Sequence, residues 1–331
     1  MKAIIPVAGT GAKLRPHTYT QPKALMPLAG KTVLDFTIEH LHKAGIDEFI
    51  FIVGYLSEKV EEHVMEKYPA LTCHFIYQDK REGTGHAIRL AKDIVKDDEL
   101  FIVMGDTITE FDIAEVIAAE ESMIAIKRVD DPRGFGVAEI NEDGYISRLV
   151  EKPTIPMSNN ALVGVYKIKE TKVLYDCLDR LFSDNIKSHG EYHLTDALQC
   201  MIEKGVRMKS FKVNRWFDCG RKDTLIETNA FLLKMQGTTI PENVITEDSI
   251  IIPPVSIGEG SVIMGSIIGP HISIGENTKV LNSILKDSIV GSYTTLEDMV
   301  INKSLIGSDV VLTGSAKRLN VGDNTEINFN I

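Results

Sequence analysis

Residues 2–11 read KAIIPVAGTG, an apolar run that stops at a pair of glycines, Gly9 and Gly11. A short run of this kind, Lys2 to Val7, is typical of a buried parallel strand that ends in a loop. Glycines in such a loop let backbone N–H groups approach a phosphate closely, and a turn of such groups binds anions. The alternative is a tight turn that binds nothing.

The loop continues over residues 12–27 as AKLRPHTYTQPKALMP and carries three basic residues, Lys13, Arg15 and Lys23. Positive charge there would stabilise a leaving pyrophosphate, because charge builds on its oxygens during phosphoryl or nucleotidyl transfer. The alternative is a set of solvated basic side chains. The pattern is not a P-loop, because GxxxxGK[ST] is absent, and it is not GxGxxG, because residue 14 is leucine.

Strand-like and helix-like segments alternate after this loop. Strands are predicted at Lys2–Val7, Glu48–Val53, Thr72–Tyr77 and Leu100–Met104, and helices at Val33–Ala44, Glu58–Tyr68 and His86–Val95. This rhythm predicts a doubly wound parallel sheet. Ligands bind beyond the carboxyl ends of the strands in such sheets. Gly9 and Asp106 both fall at strand ends.

From about Met123 the segments become shorter and lie between turns such as Glu142-Asp143-Gly144. Strands are predicted at Ile124–Arg128, Gly136–Ile140, Ile146–Glu151, Leu162–Ile168 and Met208–Lys212, and helices at Leu174–Leu181, Thr195–Lys204 and Lys222–Met235. The two halves together predict a Rossmann-like α/β domain with a doubly wound mixed sheet over residues 1–237.

The composition changes again after Gly237, where isoleucine, valine, serine and glycine dominate. A unit such as Ser266-Ile267-Ile268-Gly269 recurs, and Ile268, Ile274 and Val280 are spaced by six residues. Aliphatic residues at this spacing, followed by glycine, are typical of a hexapeptide β-helix. We therefore predict a short left-handed parallel β-helix over residues 238–331. The alternative is an irregular β-sandwich.

The bulk composition excludes some classes of partner. With a formal net charge of -11, the protein as a whole does not attract the negatively charged backbone of nucleic acid, so nucleic-acid binding is not expected. The four cysteines form no CxxC pair, which disfavours a zinc knuckle and fits a reducing compartment. The apolar start breaks at Gly9, too early for a signal peptide or a membrane span. We expect a cytoplasmic protein without a membrane partner.

The first loop resembles the signature of the sugar-phosphate nucleotidylyltransferases (nucleoside-diphosphate-sugar pyrophosphorylases), commonly GxGTRLxPxTxxxPKxxxP. The glycines, leucine, prolines, Thr18 and Lys23 match, while Ala12 stands where threonine is usual and Lys13 where arginine is usual. The resemblance implies that Lys13 and Arg15 face the leaving pyrophosphate and that Lys23 faces the nucleotide phosphates. It also implies nucleotide contacts from the loop residues Ala8, Gly9, Thr10 and Gly11.

Two aspartates resemble the metal ligands of that family. Asp106 follows Val103-Met104-Gly105, and Asp218 lies in Trp216-Phe217-Asp218-Cys219-Gly220. Mg²⁺ takes one or two carboxylates together with substrate phosphates, so the pair could hold this ion. For Asp106 the alternative is the N-cap of a helix. With these ligands, Mg²⁺ is the expected cofactor and Asp106 is expected to take part directly in catalysis.

Further segments resemble the substrate-binding parts of the family. Gln78 and the Gly83-Thr84-Gly85-His86-Ala87 segment resemble the part that reads the base, because a glutamine amide can pair with a uracil or thymine edge. This implies nucleotide contacts from Gln78, Gly83 and Thr84. Glu151-Lys152-Pro153 resembles the motif that binds the sugar phosphate. Sugar-phosphate contacts are expected from Gly136, Glu151, Lys152 and Val163.

The expected reaction is the transfer of a nucleotidyl group from a nucleoside triphosphate to a sugar 1-phosphate. We favour dTTP with glucose 1-phosphate and keep UTP as an alternative. A second alternative is a non-catalytic regulatory subunit that binds sugar nucleotides. A third is a bifunctional enzyme whose β-helix transfers an acyl group, for which His271 is the histidine in the repeat region. The resemblance and an exposed β-helix face suggest a homo-oligomer, a dimer or tetramer.

Overall fold

The computed structural model describes residues 1–314. They form two compact units, one of which is Met1–Thr228 while the other begins at Asn229. The division falls within the helix Lys222–Gln236, whereas the sequence analysis places the domain boundary after Gly237. Residues 315–331 of the predicted second domain lie outside the described residues.

The first unit alternates strands and helices in the order expected of an α/β domain. Its elements are β1 Lys2–Pro6, β2 Pro27–Leu28, β3 Lys31–Thr32, α1 Val33–Lys43, β4 Glu48–Val53, α2 Ser57–Lys67, β5 Thr72–Tyr77, α3 Thr84–Leu90, α4 Lys92–Val95, β6 Leu100–Val103, β7 Thr107–Glu110, α5 Ile113–Ala118, β8 Ser122–Arg128, β9 Gly136–Ile140, β10 Ile146–Glu151, β11 Asn160–Ile168, α6 Thr171–Ser183, α7 Leu194–Glu203, β12 Met208–Lys212, β13 Arg215–Asp218 and α8 Lys222–Gln236. Helix α8 runs across the division between the units.

The central sheet has the order β10-β9-β11-β6-β1-β4-β5, with β8 beside β11 and β12 beside β8. Strands β6, β1, β4 and β5 are parallel, whereas β11 runs antiparallel to β6. The sheet is therefore mixed, which confirms the predicted Rossmann-like class. Alternate residues of β1 enter different apolar clusters, Ile4 in one and Ala3 and Ile5 in another. Burial on both faces explains why this strand is a continuous apolar run.

Some local elements differ from the sequence-based expectation. The predicted helix 86–95 is interrupted at Ala91, which ends α3 and precedes α4. Four short strands of the first unit were not predicted, β2, β3, β7 and β13. Of these, β7 follows segment 100–106, β13 follows segment 208–214, and the two pair antiparallel with each other. This pairing decides where Asp106 and Asp218 lie.

The second unit is built from short parallel strands in three stacks, which confirms the predicted β-helix. One stack is Ile245–Glu247, Val262–Met264, Lys279–Leu281, Thr295–Glu297 and Val311–Thr313; the next is Ile250–Ile251, Ile267–Ile268, Ile284–Lys286 and Val300–Asn302; the third is Val255–Ile257, Ile272–Ile274, Ile289–Val290 and Leu305–Ile306. Ile263, Val280 and Leu296 stack in register and are fully buried.

The recurring serines of this unit have a structural reason. The Oγ of Ser249 accepts from the N–H of Ser266 at 3.0 Å, and the Oγ of Ser266 accepts from the N–H of Ser283 at 3.0 Å. These pairs are 17 residues apart in sequence, whereas the corresponding pair of Ser288 and Ser304 is 16 residues apart. The serines satisfy backbone groups at a corner of each coil, where an aliphatic residue would leave a buried donor unpaired.

Candidate active site

The glycine loop begins where β1 ends in the middle of the parallel strands. Gly11 has φ +62° and its carbonyl accepts a hydrogen bond from Oγ1 of Thr18 at 2.8 Å. A Cβ at Gly11 would lie 2.8 Å from Cγ2 of Thr18 and 3.1 Å from Cβ of Lys23. The loop therefore folds back on itself and needs a residue without a side chain at position 11. This packing fixes the start of the Lys23 side chain.

Lys23 and Asp106 meet at the end of this loop. The ammonium of Lys23 forms an ion pair with Oδ2 of Asp106, and the two side chains are 20% and 39% exposed. A Cβ at Gly220 would lie 2.9 Å from Nζ of Lys23 and 2.8 Å from Oδ1 of Asp218. The ammonium and both carboxylate-bearing residues therefore converge on one point.

The short ribbon of β7 and β13 holds the two aspartates in place. Asp218 pairs in register with Thr107, and the N–H of Cys219 donates to the carbonyl of Asp106 at 2.9 Å. Oδ1 of Asp218 accepts from the N–H of Gly220 at 2.9 Å. Burial raises the pKa of the adjacent Cys219 thiol to about 12, so it stays protonated and supplies no thiolate near neutral pH.

The two aspartates provide hard oxygen ligands at a point that already attracts a cation, the Lys23 ammonium. Among the described residues no group of three or more His, Cys, Asp or Glu residues could form a complete protein cage for a metal ion. Two carboxylates beside a substrate-binding cleft are the donor set of a hard divalent cation that also takes phosphate oxygens. The residues present therefore fit such an ion.

A second acidic position, Glu151, lies at the end of β10. Its Oε2 accepts from Oγ1 of Thr195 at 2.7 Å, and its Oε1 lies 3.4 Å from Nζ of Lys152. Lys152 has φ +41°, an uncommon conformation for a residue with a side chain, and its ammonium remains half exposed. The arrangement places a fixed carboxylate next to an ammonium that is paired with it and still half exposed.

Polar groups behind Glu151 are buried and only partly paired. Nδ1 of His193 lies 3.6 Å from Oε1 of Glu151, and its Nε2 is buried without a hydrogen-bond partner among the described residues. Ser188 donates to Oδ1 of Asp196 at 3.0 Å, while Oδ2 is buried without a partner among those residues. Burial raises the pKa of Asp196 above its ordinary value.

One cleft of about 490 Å³ gathers most of the predicted site residues. Its walls include, from the sequence-based prediction, Ala8, Gly9, Lys23, Gln78, Gly83, Thr84, Asp106, Gly136, Glu151, Lys152, Val163 and Asp218. Thr10, Gly11, Lys13 and Arg15 are not part of its described lining. Lys13 and Arg15 are exposed, and the Arg15 guanidinium lies 5.1 Å from the ring centroid of Tyr19.

Several residues that line the cleft were missed by the sequence analysis, among them His193 and Trp216. His193, to which the sequence analysis assigned no function, lines the cleft beside Glu151. Trp216 also lines the cleft, packed at 4.9 Å from Phe135. A signal for Trp216 existed, because residues two apart on a strand point to the same side and Asp218 is on that strand. The signal for His193 was that the segment Gly190–Asp196 resembles a further segment of the sugar-phosphate nucleotidylyltransferases.

The family follows from comparison with known sequences. The nucleotidyl transferase family, as described by its sequence model, matches residues 2–235 of the chain. The chain belongs to the nucleotidyl transferase family. The matched range covers the cleft and the elements that build it.

Individual relatives of this nucleotidyl transferase differ in how much of it they cover. The bifunctional protein GlmU of Methanocaldococcus jannaschii is 36% identical over 79% of this chain and 61% of its own length. The glucose-1-phosphate thymidylyltransferase of Streptomyces griseus is 32% identical over 96% of this chain and 88% of its own length. The chain thus spans less than two thirds of some curated relatives and most of others.

A solved structure supports the fold. A candidate glucose-1-phosphate thymidylyltransferase from Bacillus anthracis, in complex with sucrose, aligns with a TM-score of 0.60 and 26% identity. The alignment covers 70% of this chain and 94% of the other. Among its described residues, this nucleotidyl transferase has no helix long and apolar enough to cross a lipid bilayer.

Proposed function

We propose that the chain transfers a nucleotidyl group from dTTP to glucose 1-phosphate, giving a nucleoside-diphosphate sugar and pyrophosphate. UTP remains the alternative nucleotide. The observation that supports this most is the convergence of a glycine loop, Lys23, two aspartates and the Glu151-Lys152 pair on one cleft. The similarity to a glucose-1-phosphate thymidylyltransferase over 96% of the chain supports the choice of substrates.

The reaction is an in-line displacement at the α-phosphorus. An oxygen of the sugar 1-phosphate forms the new P–O bond, and the bond from the α-phosphorus to the bridging oxygen of pyrophosphate breaks. The attacking oxygen is already ionised near neutral pH, so no general base is required. Catalysis then depends on positioning and on neutralising charge between two anions.

The sugar phosphate is proposed to bind at the Glu151-Lys152 pair. The half-exposed ammonium of Lys152 offsets the charge of the phosphate that attacks a second phosphate. Glu151 is held by Thr195 and Lys152, and can accept hydrogen bonds from sugar hydroxyls. Gly136 and Val163 line the cleft and leave room for the sugar ring.

The nucleotide phosphates are proposed to lie over the glycine loop, from Ala8 to Gly11. Lys23 contacts them, and Lys13 and Arg15 face the leaving pyrophosphate. Asp106 and Asp218 would hold Mg²⁺, which when bound neutralises part of the phosphate charge. Asp106 also keeps the Lys23 ammonium in the cleft through their ion pair.

A second candidate activity rests on the β-helix unit. Nδ1 of His271 lies 2.9 Å from Oδ1 of Asp287, a contact that can fix the imidazole tautomer and leave Nε2 as a base. The relative in Methanocaldococcus jannaschii is described as bifunctional. Acyl transfer from an acyl thioester, the alternative that the sequence analysis gives for the β-helix, is the activity to assay.

A pyrophosphate-release assay tests the proposal. The five common nucleoside triphosphates are each combined with several sugar 1-phosphates and Mg²⁺. We expect the fastest release with dTTP and glucose 1-phosphate, followed by UTP. No release with any pair, together with tight binding of a nucleoside-diphosphate sugar in calorimetry, would instead identify a regulatory subunit.

A further inference from the structure

The side-chain amide of Gln78 lines the cleft and is already partly engaged within the protein. Its Nε2 donates to the carbonyl oxygen of Gly83 at 3.3 Å and lies 3.2 Å from Nδ1 of His86. A carbonyl oxygen can only accept, so the amide NH₂ must face Gly83. Nδ1 of His86 therefore accepts the second N–H. Oε1 of Gln78 has no hydrogen bond to a described residue and is the amide atom left for a ligand.

His86 is held in place by packing of its own. Its ring lies 5.6 Å from the ring of Phe182, which in turn stacks on Tyr192 at 3.8 Å. The guanidinium of Arg89 lies 4.6 Å from the centroid of the Phe182 ring. In the described part of the chain, Gln78 lines the cleft whereas His86 does not. His86 is therefore placed to affect a ligand through Gln78 without lining the cleft itself.

The backbone around Gly83 is equally fixed. The N–H of Tyr192 donates to the carbonyl of Glu82 at 2.8 Å, and the N–H of Gly85 donates to the carbonyl of Tyr192 at 2.8 Å. The N–H of Leu194 donates to Oγ1 of Thr84 at 3.0 Å. Both acceptors of the Gln78 amide, one on Gly83 and one on His86, therefore have defined positions.

We propose that His86 is a positioning residue that, as the second acceptor beside the carbonyl of Gly83, helps to hold the Gln78 amide in the orientation that selects bases whose ring nitrogen carries a hydrogen. The proposal rests on the nucleotide function proposed above and adds a determinant of its base preference. Oε1 accepts from N3–H of thymine or uracil. Cytosine has a lone pair at N3, which would face Oε1 and repel it. Rotation of the amide would relieve this repulsion but would place Oε1 against the carbonyl of Gly83.

The test compares two substitutions at position 86. His86→Leu removes the acceptor, whereas His86→Asn keeps one, because Oδ1 of asparagine can occupy nearly the position of Nδ1. Binding of UTP, dTTP and CTP is measured by calorimetry, and pyrophosphate release is measured with each triphosphate and glucose 1-phosphate. Arg89→Gln is the matched control, because it alters the support of Phe182 without contacting Gln78.

For His86→Leu we expect the preference for UTP over CTP to fall by about tenfold, because the second amide N–H loses its acceptor and the single 3.3 Å contact to Gly83 is left to hold the amide. The change should appear in KM and in the dissociation constant, with kcat for UTP within about twofold of the wild type. His86→Asn and Arg89→Gln should keep the wild-type preference. A wild-type preference in His86→Leu would overturn the proposal.

The outcomes separate this inference from the proposed function. If the wild type binds UTP in preference to CTP, His86→Leu loses that preference and no pyrophosphate is released, the inference stands and the transferase proposal fails. If pyrophosphate is released normally but His86→Leu keeps the preference, the transferase proposal stands and the inference fails. A wild type that binds none of the three triphosphates would overturn both.

Discussion

The ammonium of Lys23 forms an ion pair with the carboxylate of Asp106, a residue 83 positions further along the chain. The two side chains are 20% and 39% exposed, so solvent screens the pair and it adds little to stability. The pair joins the loop after β1 to the segment after β6, and these two strands are hydrogen-bonded neighbours. Its position in the cleft points to a function in binding phosphate rather than in holding the fold together.

Replacement of Asp106 tests the centre of the proposed site. We expect Asp106→Asn to lower kcat by about 10³-fold, because the neutral amide holds neither the Lys23 ammonium nor a divalent cation as the carboxylate does. The thermal midpoint should change by only a few degrees, because the ion pair is partly exposed. Pyrophosphate release and circular dichroism provide the two measurements.

The matched control for this substitution is Asp131→Asn. Asp131 is an exposed aspartate whose partner is Arg133, and the two are close in sequence. Its replacement removes the same charge from the surface and should leave kcat within about twofold of the wild type. Near-normal turnover of Asp106→Asn would rule out the metal-holding role.

Lys13 and Arg15 allow a test of charge that is independent of folding. Both are exposed, so Lys13→Met and Arg15→Met should leave the free energy of unfolding within about 0.5 kcal/mol of the wild type. If they face the leaving pyrophosphate, each should lower kcat by about 10²-fold. Stopped-flow or coupled pyrophosphate release measures this. Full activity in both variants would assign them to the solvated surface.

Lys13→Arg restores the residue that the nucleotidylyltransferase signature usually has at this position. A guanidinium can donate two parallel hydrogen bonds to a phosphate, whereas an ammonium acts as a point charge. We expect Lys13→Arg to raise kcat modestly, by about twofold to tenfold, the range that corresponds to about 0.5–1.5 kcal/mol for one additional hydrogen bond. A decrease in kcat would show that the loop is shaped for lysine.

If the Glu151-Lys152 pair binds the sugar phosphate, a substitution in it should change KM for one substrate and not for the other. Lys152→Met should raise KM for glucose 1-phosphate by about tenfold, because one charged contact to the phosphate is lost. KM for the nucleotide should remain unchanged. Lys169→Met is a suitable control, since its ammonium donates to the carbonyl of Glu120 at the surface. An equal rise in both KM values would contradict the assignment of this pair to the sugar phosphate.

The strands and the glycine loop could be predicted from sequence because they depend on local pattern. The continuous apolar run of β1 reflects burial on both faces of the sheet, and the six-residue spacing of Ile268, Ile274 and Val280 reflects burial that recurs at a fixed period. Most of the twelve predicted residues that line the cleft belong to motifs that follow or end a strand, whereas Gly136 begins β9 and Val163 lies within β11.

Other features depend on contacts between distant residues. The pairing of β7 with β13 joins segments that have no shared period, so it left no local signal. The Lys23–Asp106 ion pair and the Gln78–His86 contact likewise depend on how separate loops pack. The exposed position of Lys13 and Arg15 results from the short helical turn that begins after Gly11, which the motif alone does not indicate.

Asp35 is a fully buried carboxylate at the start of α1 and joins α1 to α2. It accepts from the N–H of Thr32 and from side-chain groups of His63, Lys67 and Tyr68, each at 2.8 Å. Burial acts to raise its pKa, but these hydrogen bonds outweigh it and hold the pKa well below the ordinary value of an aspartate. In the folded protein the group therefore stays ionised to low pH.

The sign of the resulting pH dependence follows from linkage. Because the folded-state pKa of Asp35 lies below its unfolded value of about 3.9, its contribution to stability is present above that value and is lost as pH falls towards the folded-state pKa. At pH 7, Asp35→Asn should lower the free energy of unfolding by about 3 kcal/mol or more. The reason is that His63 and Lys67 then no longer face the buried carboxylate charge. At pH 3 the difference from the wild type should be smaller.

Urea unfolding at pH 7 and pH 3 measures both differences, followed by tryptophan fluorescence and circular dichroism. Asp47→Asn is the control, because Asp47 forms an exposed pair with His42 and should change the free energy of unfolding by less than about 1 kcal/mol at either pH. A difference between wild type and Asp35→Asn that stays constant from pH 7 to pH 3 would show that Asp35 stabilises the chain by packing and hydrogen-bond geometry, and not through its charge.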